Sequence, residues 1–355
     1  MAYLLEGYED RDFLVKGFTE GFSLCFEGSG SSVEGRNALS VRRNTQEALK
    51  KVEGERALGR ISGPFNSKPF DLFKCSPLSL RPKSSPGKFR LLHDLSFPYN
   101  DEAVNRGITD DNARVKYASV QDAVQILIQH PGAFLAKGDL KDAYRQVPLA
   151  PDQYWLVGFK LQGCYYHDNR LPMGARSSCA IFERVASALA YILRSKYRVR
   201  YVIKMLDDFL FLGATKEECD YGLVSFEHLC HRLNLPLAEE KTVRATRRLA
   251  FLGIDLDAEK QLASIPPEKA LKYAREISAL AGKSSCSLRD LRQVTGKLEH
   301  ATCIIKGGRA FIRRLHEAKK GPQVPSRRIK ISSLLKEDKC IVGSFFTKIQ
   351  LDDPF

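Results

Sequence analysis

The sequence predicts an α+β protein, in which a mixed body of strands and helices precedes a helical, basic C-terminal region. Two short apolar runs, 201–206 and 209–213, are separated by only two residues, which is the spacing of a β-hairpin. Apolar residues recur with helical periodicity after Ser178, and the chain has a helical pattern from Pro266 onward. Strand and helix patterns therefore share the first three quarters of the chain, and helices dominate the rest.

The predicted helices begin or end at residues with recognisable capping chemistry. Ser119 and Asp122 have the spacing of a capping box, and Pro267 suits a first helical position. Helices are predicted at 45–58, from Ser119 to Pro131, at 178–195, at 217–233, from Pro267, from Ser287 and at 308–319. Strands are predicted at 133–140, 201–206, 209–213 and 249–256, and the Gly/Ser-rich segment 27–35 is predicted to be a flexible loop.

The composition favours a protein that folds and that meets a polyanion. Of 355 residues 43% are apolar, and 56 Lys and Arg face 42 Asp and Glu, which gives a net charge of +14. Half of this charge lies in residues 301–355, where 12 basic residues face 5 acidic ones. A basic surface can serve solubility alone, but nucleic acid is the favoured partner at this charge.

The nine cysteines are scattered singly, and no Cys-x-x-Cys pair occurs. A zinc ribbon is therefore disfavoured, and reduced thiols in the cytoplasm or nucleus are expected, which makes the protein intracellular. No apolar run has the length of a membrane span, and the first residues lack a signal-peptide pattern, so no membrane partner is expected. The oligomeric state cannot be read from the sequence.

Two adjacent acids, Asp207 and Asp208, lie between the apolar runs of the predicted hairpin. Adjacent acids repel each other and are poor residues for a two-residue turn, where Asn-Gly or Asp-Gly is preferred. A divalent cation would offset the repulsion, and breaches of local rules are common at functional sites. Taken alone, an exposed acidic turn is the simpler explanation.

A third acid, Asp139, ends the predicted strand 133–140 and changes this balance. If that strand lies beside the hairpin in one sheet, Asp139 and Asp207 can face each other and hold two Mg²⁺ ions roughly 4 Å apart. Magnesium prefers a few carboxylates together with substrate phosphate oxygens. Asp142 is the competing acid in this segment, but three residues further on it is expected to point elsewhere.

The ordered segments of the chain resemble the motifs of reverse transcriptases. The resemblance spans roughly residues 55–320, and the order of its motifs makes it specific. The matching segments are 76–83 with 87–90 and 94–96, then 138–144, 171–174 with Ser178 and Phe182, 205–208, 237–242 and 251–253. Finer details resemble the DIRS-like retrotransposons that carry a tyrosine recombinase, namely 59–65, 95–98, 291–298 and 307–311 before Leu315.

The resemblance implies a right-hand polymerase with fingers, a palm that carries the catalytic hairpin in an antiparallel sheet, and a helical thumb. The implied division is an N-terminal extension (1–54), fingers and palm (55–262), thumb (263–320) and a basic tail (321–355) that is expected to be disordered. No ribonuclease H domain is expected after the thumb, so the chain is interpreted as a fragment or a truncated copy.

The resemblance also implies residue roles. The metal site comprises the acids Asp139, Asp207 and Asp208, together with Leu140, and binds two Mg²⁺ ions, with Mn²⁺ as an alternative. For the incoming nucleotide, the resemblance implies triphosphate binding by Lys83 and Arg90, contact by Met173 and Gly174, and exclusion of a 2′-hydroxyl by Tyr144. It also implies that Lys241 donates a proton to pyrophosphate. The primer grip, Phe251, Leu252 and Gly253, is implied to place the primer end.

Simpler explanations exist for several of these residues. Lys83 and Arg90 have the pattern of loop charges, Tyr144 that of a core aromatic and Lys241 that of a surface lysine. The chain also departs from the family pattern. Met173 replaces a common glutamine, Met205 a common aromatic and Cys179 a common proline, but no metal ligand is lost.

The implied reaction is the addition of dNTPs to the 3′-hydroxyl of a primer on an RNA or DNA template. The expected partners are an RNA template, a DNA primer–template duplex and dNTPs, with the duplex held mainly through its phosphates. The first alternative is a catalytically silent polymerase domain that only binds nucleic acid. The second is another palm-containing enzyme such as a nucleotide cyclase, but those typically have a Gly-Gly-acid hairpin, which this sequence lacks.

Overall fold

The computed structural model of the chain describes residues 2–82, 87, 89–304 and 308–331. The chain forms two compact units, each made of three segments. Unit one comprises Met1–Tyr117, Gly138–Phe209 and Val224–Lys241, and unit two comprises Ala118–Lys137, Leu210–Leu223 and Thr242–Phe355.

Helices and strands are interspersed along the described residues. The α-helices are α1 (Arg11–Glu20), α2 (Leu39–Arg43), α3 (Thr45–Ala57), α4 (Val120–Gln129), α5 (Ser178–Ser195), α6 (Lys216–Arg232), α7 (Pro267–Ala281), α8 (Leu288–Thr302) and α9 (Gly308–Ala318). Short 3₁₀ helices span Ala2–Leu5, Val104–Arg106, Ala143–Gln146, Pro151–Leu156 and Glu239–Lys241.

The strands of the described residues are mostly short. They are β1 (Val33–Glu34), β2 (Ile61–Phe65), β3 (Lys74–Cys75), β4 (Leu78–Pro82), β5 (Phe89–His93), β6 (Phe134–Asp139), β7 (Gly158–Leu161), β8 (Cys164–Asp168), β9 (Tyr201–Met205), β10 (Asp208–Gly213), β11 (Val243–Thr246), β12 (Arg248–Phe251), β13 (Ile254–Asp257), β14 (Leu262–Ser264), β15 (Ser285–Ser287) and β16 (Arg328–Lys330).

Unit one contains a five-stranded sheet of order β1-β3-β7-β8-β2. Strand β8 pairs antiparallel with β7 and β2, whereas β3 runs parallel to both β1 and β7. A second hairpin, β4–β5, packs beside this sheet, and apolar side chains of both join those of α2 and α3 in one core cluster. Burial of such aliphatic and aromatic side chains contributes about 1.5–3 kcal/mol each.

A four-stranded sheet of order β11-β6-β10-β9 carries the acids that the sequence singled out. Asp139 is the last residue of β6, and Asp208 is the first of β10. The last residue of β6 and the first residue of β10 therefore lie at the same end of these two inner strands, which we call the sheet edge.

Most of the predicted helices are confirmed, and their caps have the expected chemistry. Helix α4 begins after Ser119, and its capping box with Asp122 is present, with the Ser119 N–H donating to Asp122 Oδ2 over 2.6 Å. Helix α8 begins after Ser287, whose Oγ accepts a hydrogen bond from the Asp290 N–H at 3.1 Å. These side chains satisfy backbone groups that the first helical turn leaves unpaired.

Helix α5 spans the predicted residues 178–195 and buries one continuous face. The face consists of side chains three or four residues apart, which lie on one side of a helix. Its predicted members, Ile181, Phe182, Val185, Leu189 and Ile192, are all buried.

The prediction of one strand at 249–256 is wrong, because a tight hairpin divides this segment. Strands β12 and β13 pair antiparallel, and Phe251 is opposite Ile254. The intervening residues Leu252 and Gly253 both have positive φ, 50° and 77°. Two central residues with positive φ are the mark of a type I′ turn, whose twist matches that of paired strands. The unbroken apolar run hid this turn.

The position of the turn in the acidic hairpin also differs from the prediction. The sequence placed Asp207 and Asp208 together in the turn, but the two turn residues are Leu206 and Asp207, and Asp208 begins β10. Leu206 takes the left-handed conformation, with φ of 53°. The acids thus avoid the strained backbone position, which a leucine occupies instead.

Unit two contains a three-stranded sheet, β12-β13-β14, and the helices α7, α8 and α9. Strand β15 pairs antiparallel with β16, so Ser285 is opposite Lys330. The sequence analysis predicted neither strand, because three-residue strands carry too little periodicity to be recognised. It expected helix around Ser285–Ser287 and a disordered tail at Arg328–Lys330. Among the described residues, no helix has both the length and the apolar character needed to cross a bilayer.

Candidate active site

Asp139 is held at the edge of the four-stranded sheet by its own backbone. Its carbonyl oxygen accepts a hydrogen bond from the Ala238 N–H at 2.8 Å, and the next residue, Leu140, forms a β-bridge with Leu237. Only 3% of Asp139 is exposed. The strand therefore delivers a carboxylate into a buried position, where an uncompensated charge is costly.

The acidic hairpin lies directly against this position. The Leu140 N–H donates to the Asp207 carbonyl oxygen at 3.0 Å, so the turn of the hairpin is tied to the strand that carries Asp139. Burial raises the pKa of Asp139 to about 6, and a hydrogen bond with the Asp208 carboxyl and the charge of Asp207 act in the same direction. The three predicted metal-site acids are thus brought close enough to interact.

Lys241 is the counter-charge of this acidic group. Its Nζ donates to Asp139 Oδ1 at 2.9 Å and to Oδ2 at 3.1 Å. The hydrogen bond to Asp139, together with the charges of Asp207 and Asp208, raises the pKa of Lys241. The lysine side chain is 53% exposed, so it can reach solvent on one side and the buried carboxylate on the other.

The hairpin is anchored to helix α5 through a buried glutamate. Glu183 accepts hydrogen bonds from Lys204 Nζ and, at 3.4 Å, from the N–H of the turn residue Leu206. Lys204 Nζ also donates to Ser187 Oγ at 2.6 Å. These contacts fix the hairpin and hence the direction in which its acids project, and the sequence patterns gave no indication of them.

Tyr144 is half-buried in the 3₁₀ helix Ala143–Gln146, which follows β6. Its hydroxyl is 3.1 Å from the Cys179 Sγ, and its ring centroid is 5.2 Å from that of Phe182. Burial raises the pKa of the Tyr144 hydroxyl, and Cys179, Tyr117 and the charge of Asp207 add to the effect. Tyr144 thus contacts helix α5 through both its hydroxyl and its ring, and the charge of Asp207 acts on its hydroxyl.

Met173 and Gly174 line a cavity of about 270 Å³ in unit one. Met173 is 52% exposed. A Cβ on Gly174 would lie 2.0 Å from the His93 carbonyl oxygen, so only glycine fits at this close approach. The other lining residues are Ser79, Leu92, His93, Asp94 and Leu95.

The other predicted site residues lie outside the segments that carry the acidic group. Arg90 lies exposed on β5, opposite Arg81 of β4. Lys83 lies outside the described residues. The predicted primer grip belongs to unit two, where Phe251 is fully buried and Leu252 and Gly253 form the type I′ turn.

Asp142, the competing acid, forms an ion pair away from the acidic group. Its Oδ2 accepts a hydrogen bond from Arg60 Nη1 at 3.1 Å, and the same guanidinium lies 3.4 Å from Glu55 Oε1. Asp142 also has a positive φ of 50°, which turns the chain after β6. The structure therefore separates the two acids that the sequence left as alternatives.

A buried chain of charges in unit one was not predicted at all. Arg145 Nε lies 2.8 Å from Glu55 Oε2, and Arg145 Nη2 lies 2.7 Å from Asp168 Oδ1. The other oxygen of Asp168 is 3.3 Å from His93 Nδ1, and His93 Nε2 is 3.0 Å from the Gly158 carbonyl oxygen. We call Glu55, Arg145, Asp168 and His93 the ion-pair network. Its members lie far apart in sequence, so no local motif reveals it.

The donor chemistry of the acidic group fits a divalent cation. Hard carboxylate oxygens suit Mg²⁺, which seldom takes a closed protein cage and completes its shell with water and phosphate oxygens. In the part of the chain that the structure describes, no three His, Cys, Asp or Glu side chains form a ready-made metal cluster. Asp139, with its raised pKa beside two other acids, is a carboxyl that a cation would favour in its charged form.

The structure thus places the buried acid of β6 beside the acidic hairpin, in a fold that mixes helices and sheets. Residues 82–256 match the family model described as reverse transcriptase (RNA-dependent DNA polymerase). This segment, just under half of the chain, is similar to reverse transcriptase domains, as the motif resemblance implied.

Curated relatives are polyproteins of retroviruses and retrotransposons. The Gag-Pro-Pol polyprotein of Human T-cell leukemia virus 3 (strain 2026ND) is 25% identical over 261 residues, which cover 71% of this chain and 16% of the polyprotein. The Pol polyprotein from transposon gypsy of Drosophila melanogaster is 24% identical over 199 residues, 53% of this chain and 18% of that protein. The chain thus spans less than a fifth of the length of these relatives.

Solved structures of similar fold confirm the predicted fold class. A foamy viral protease–reverse transcriptase in complex with double-stranded DNA aligns with a TM-score of 0.66 at 16% identity, over 91% of this chain and 51% of that one. The foamy viral enzyme in complex with an RNA/DNA hybrid aligns with a TM-score of 0.62 at 16% identity, over 91% of this chain and 40% of the other.

Proposed function

We propose that the protein is an RNA-directed DNA polymerase that adds dNTPs to a primer 3′-hydroxyl on an RNA or DNA template. The observation that carries this proposal is the meeting of Asp139, Asp207, Asp208 and Lys241 at one sheet edge. The match to the reverse transcriptase model over residues 82–256 supports it.

The acids Asp139, Asp207 and Asp208, with Leu140 beside them, would hold two Mg²⁺ ions, and Mn²⁺ is the alternative. When bound, such ions would lower the pKa of the primer hydroxyl and stabilise the charge that develops on the leaving pyrophosphate. Asp139 contributes a buried carboxylate on a rigid strand. The hydrogen bond between Leu140 and Asp207 keeps the turn acid at the same edge.

Lys241 has two roles in this proposal. Without a cation, its ammonium group neutralises Asp139 from 2.9 Å. During the reaction it would donate a proton to the pyrophosphate, because its side chain is half exposed and can turn from the carboxylate toward solvent. A raised pKa keeps the proton on Lys241 until a strongly basic acceptor is next to it.

The incoming nucleotide would be bound by residues of unit one. Arg90, and Lys83 from outside the described residues, would hold the triphosphate, because a guanidinium pairs with phosphate oxygens in a bidentate manner. Met173 and Gly174 would contact the nucleotide at the mouth of their cavity, with the glycine allowing close backbone approach. Tyr144 would exclude a 2′-hydroxyl with its ring, which Cys179 and Phe182 hold in place.

A primer–template duplex is the proposed macromolecular partner. The net charge of +14 favours binding through phosphates, which gives affinity with little sequence preference. The foamy viral enzymes of similar fold were solved with double-stranded DNA and with an RNA/DNA hybrid. The turn Leu252-Gly253 would place the primer end.

For the organisation of the chain, we propose fingers and palm at 55–262 and a thumb at 263–320, preceded by an extension (1–54) and followed by a basic tail (321–355). The motifs Gly59–Phe65, Leu95–Pro98 and Leu291–Leu298 favour an origin in a DIRS-like retrotransposon. Among the described residues no disulfide joins the eight cysteines, which suits work in the cytoplasm or the nucleus.

Primer extension on poly(rA)/oligo(dT) with Mg²⁺ tests the proposal, with the Asp207→Asn variant as the control. We expect the wild-type chain to extend the primer and the variant to bind the duplex without extending it. If the pure wild-type protein binds the duplex but adds no nucleotide, with Mg²⁺ or Mn²⁺, the alternative of a silent domain that only binds nucleic acid replaces the proposal.

A further inference from the structure

The turn between β12 and β13 has a conformation that its own sequence does not favour. Leu252 and Gly253 both have positive φ, which glycine tolerates but a leucine adopts at a cost of roughly 1–2 kcal/mol. A strained backbone of this kind persists when the surrounding structure holds it in place. The neighbours of the turn within unit two are therefore informative.

Two side chains from two helices converge on the carbonyl groups of this turn. His300 of α8 has its Nε2 3.0 Å from the Leu252 carbonyl oxygen. Lys269 of α7 donates from Nζ to the Gly253 carbonyl oxygen at 3.3 Å, and its Nζ lies 3.4 Å from His300 Nε2. A Cβ on Gly253 would lie 2.2 Å from Lys269 Nζ, so the glycine makes room for the lysine.

The contacts of His300 determine its protonation. The carbonyl of Leu252, at 3.0 Å, is the nearer partner of Nε2 and only accepts, so Nε2 carries the proton, and the Lys269 ammonium at 3.4 Å is a neighbouring charge rather than a donor to it. The other ring nitrogen, Nδ1, is buried and has no hydrogen-bond partner among the described residues. Burial lowers the pKa of His300, and the nearby Lys269 ammonium lowers it further. The ring is therefore neutral at pH 7.

The groups packed around His300 would do little to stabilise a doubly protonated, positively charged ring. Tyr273 presents its ring with centroids 6.1 Å apart, and Cys303 Sγ contacts the backbone oxygen of His300 at 2.8 Å. Glu299, the adjacent acid on α8, is paired with His316 at 3.0 Å. A proton on Nδ1 would thus lack an acceptor and would add a positive charge beside Lys269.

We propose that Lys269 and His300 are positioning residues that clamp the Leu252-Gly253 turn to helices α7 and α8, and that acid loosens this clamp. The proposal rests on the proposed function, in which this turn places the primer end. The clamp itself is a structural claim about unit two, so it can be measured without any enzymatic activity.

The first experiment is amide hydrogen exchange of the segment 248–257 in the full-length protein. We expect exchange to be roughly five- to tenfold faster in His300→Leu and in Lys269→Met, since each loses one hydrogen bond worth about 1 kcal/mol. His300→Gln should restore slow exchange, because its amide N–H can still donate. Lys272→Met, which removes an exposed lysine of the same helix, is the matched control and should leave the segment unchanged.

The second experiment is primer extension at pH 7.5 and at pH 5.5. We expect the KM for primer–template to rise roughly five- to tenfold in His300→Leu and Lys269→Met, with kcat little changed. Because the pKa of His300 is lowered in the folded state, the contribution of the clamp is present at pH 7.5 and is lost as the pH falls below about 6.5. The wild-type KM should therefore rise at pH 5.5, and His300→Gln should lose most of that rise.

The outcomes separate the clamp from the proposed function. Unchanged exchange in both loss variants would overturn the clamp, whatever the enzyme does. Faster exchange with an unchanged KM would overturn its role in positioning the primer. A wild-type protein that extends no primer would refute the proposed function, and the exchange data would still decide whether the clamp exists. If His300→Leu does not fold, Lys269→Met alone carries the test.

Discussion

Two buried carboxylates of unit one, Asp168 and Asp139, are compensated in opposite ways. Burial disfavours the charge of Asp168, but Arg145 at 2.7 Å and His93 at 3.3 Å outweigh it and hold the pKa of Asp168 below its usual value. Asp139 has one lysine and two acidic neighbours, and its pKa rises to about 6. A compensated carboxylate stabilises the fold, whereas an under-compensated one creates a position where an added cation is favoured.

Adjacent residues connect the acidic group and the ion-pair network. Tyr144 and Arg145 are neighbours in the 3₁₀ helix Ala143–Gln146. Tyr144 contacts Cys179 near the acidic group, and Arg145 enters the ion-pair network between Glu55 and Asp168. This short helix therefore connects the residue that lies near the acidic group to the ion-pair network of unit one.

The largest effect should come from Asp139→Asn. The substitution keeps the shape of the side chain but removes a charged ligand, so we expect polymerisation to fall by about a thousandfold or more, about 4 kcal/mol in the barrier. Single-nucleotide incorporation under single-turnover conditions measures it. Asp142→Asn is the matched control and should change the rate by less than about tenfold, because Asp142 pairs with Arg60. An equal loss in both variants would show that the wrong acid was assigned.

Asp168→Asn should act on stability rather than on chemistry. Removing one partner from a buried pair leaves Arg145 under-compensated, which costs about 3–5 kcal/mol of the free energy of unfolding. Urea denaturation measures the loss, and Glu259→Gln, which breaks the exposed pair with Arg247, should cost less than about 1 kcal/mol. If the two variants lose the same small amount, the ion-pair network does not have the stabilising role inferred for it.

Tyr144→Ala tests whether the Tyr144 ring discriminates between dNTPs and rNTPs. The proposed exclusion of a 2′-hydroxyl is steric, so we expect the ratio of kcat/KM for dNTP over rNTP to fall by roughly ten- to a hundredfold, about 1.4–2.8 kcal/mol. Tyr144→Phe keeps the ring and should change the ratio little. An unchanged ratio in Tyr144→Ala would make Tyr144 a packing residue only.

The smallest effect should be a pH-dependent gain in stability of the metal-free Asp139→Asn variant. The pKa of Asp139 is higher in the folded protein, about 6, than its ordinary value of 3.8, so this group destabilises the wild-type fold as the pH rises through that window. We expect the variant to be more stable than wild type by about 1–2 kcal/mol at pH 8 and equal to it near pH 4. Thermal unfolding with EDTA at both pH values measures this. A variant less stable than wild type at pH 8 would mean that Lys241 fully compensates Asp139.

The sequence predicted well what local patterns encode. Helix α5 matched its predicted bounds because its apolar face repeats at helical spacing over 18 residues. The break at Leu252-Gly253 was missed because an apolar run does not show a change in φ. Motif order predicted Asp139, Asp207 and Asp208 as a group, and the structure brings these three acids close together. The pairing of Lys241 with Asp139 and the anchoring of the hairpin by Glu183 were not predicted, since both residues are distant in the chain from the groups they contact.

The ion-pair network also bears on how the chain reaches its native state. Its members come from positions 55, 93, 145 and 168, and the contact between Glu55 and Arg145 alone bridges 90 residues. Contacts over such separations close late, because a long stretch of chain must first be ordered. Interactions that form after the rate-limiting step mainly slow unfolding. We therefore expect the network to slow unfolding, and so to lengthen the lifetime of the folded protein, more than it accelerates folding.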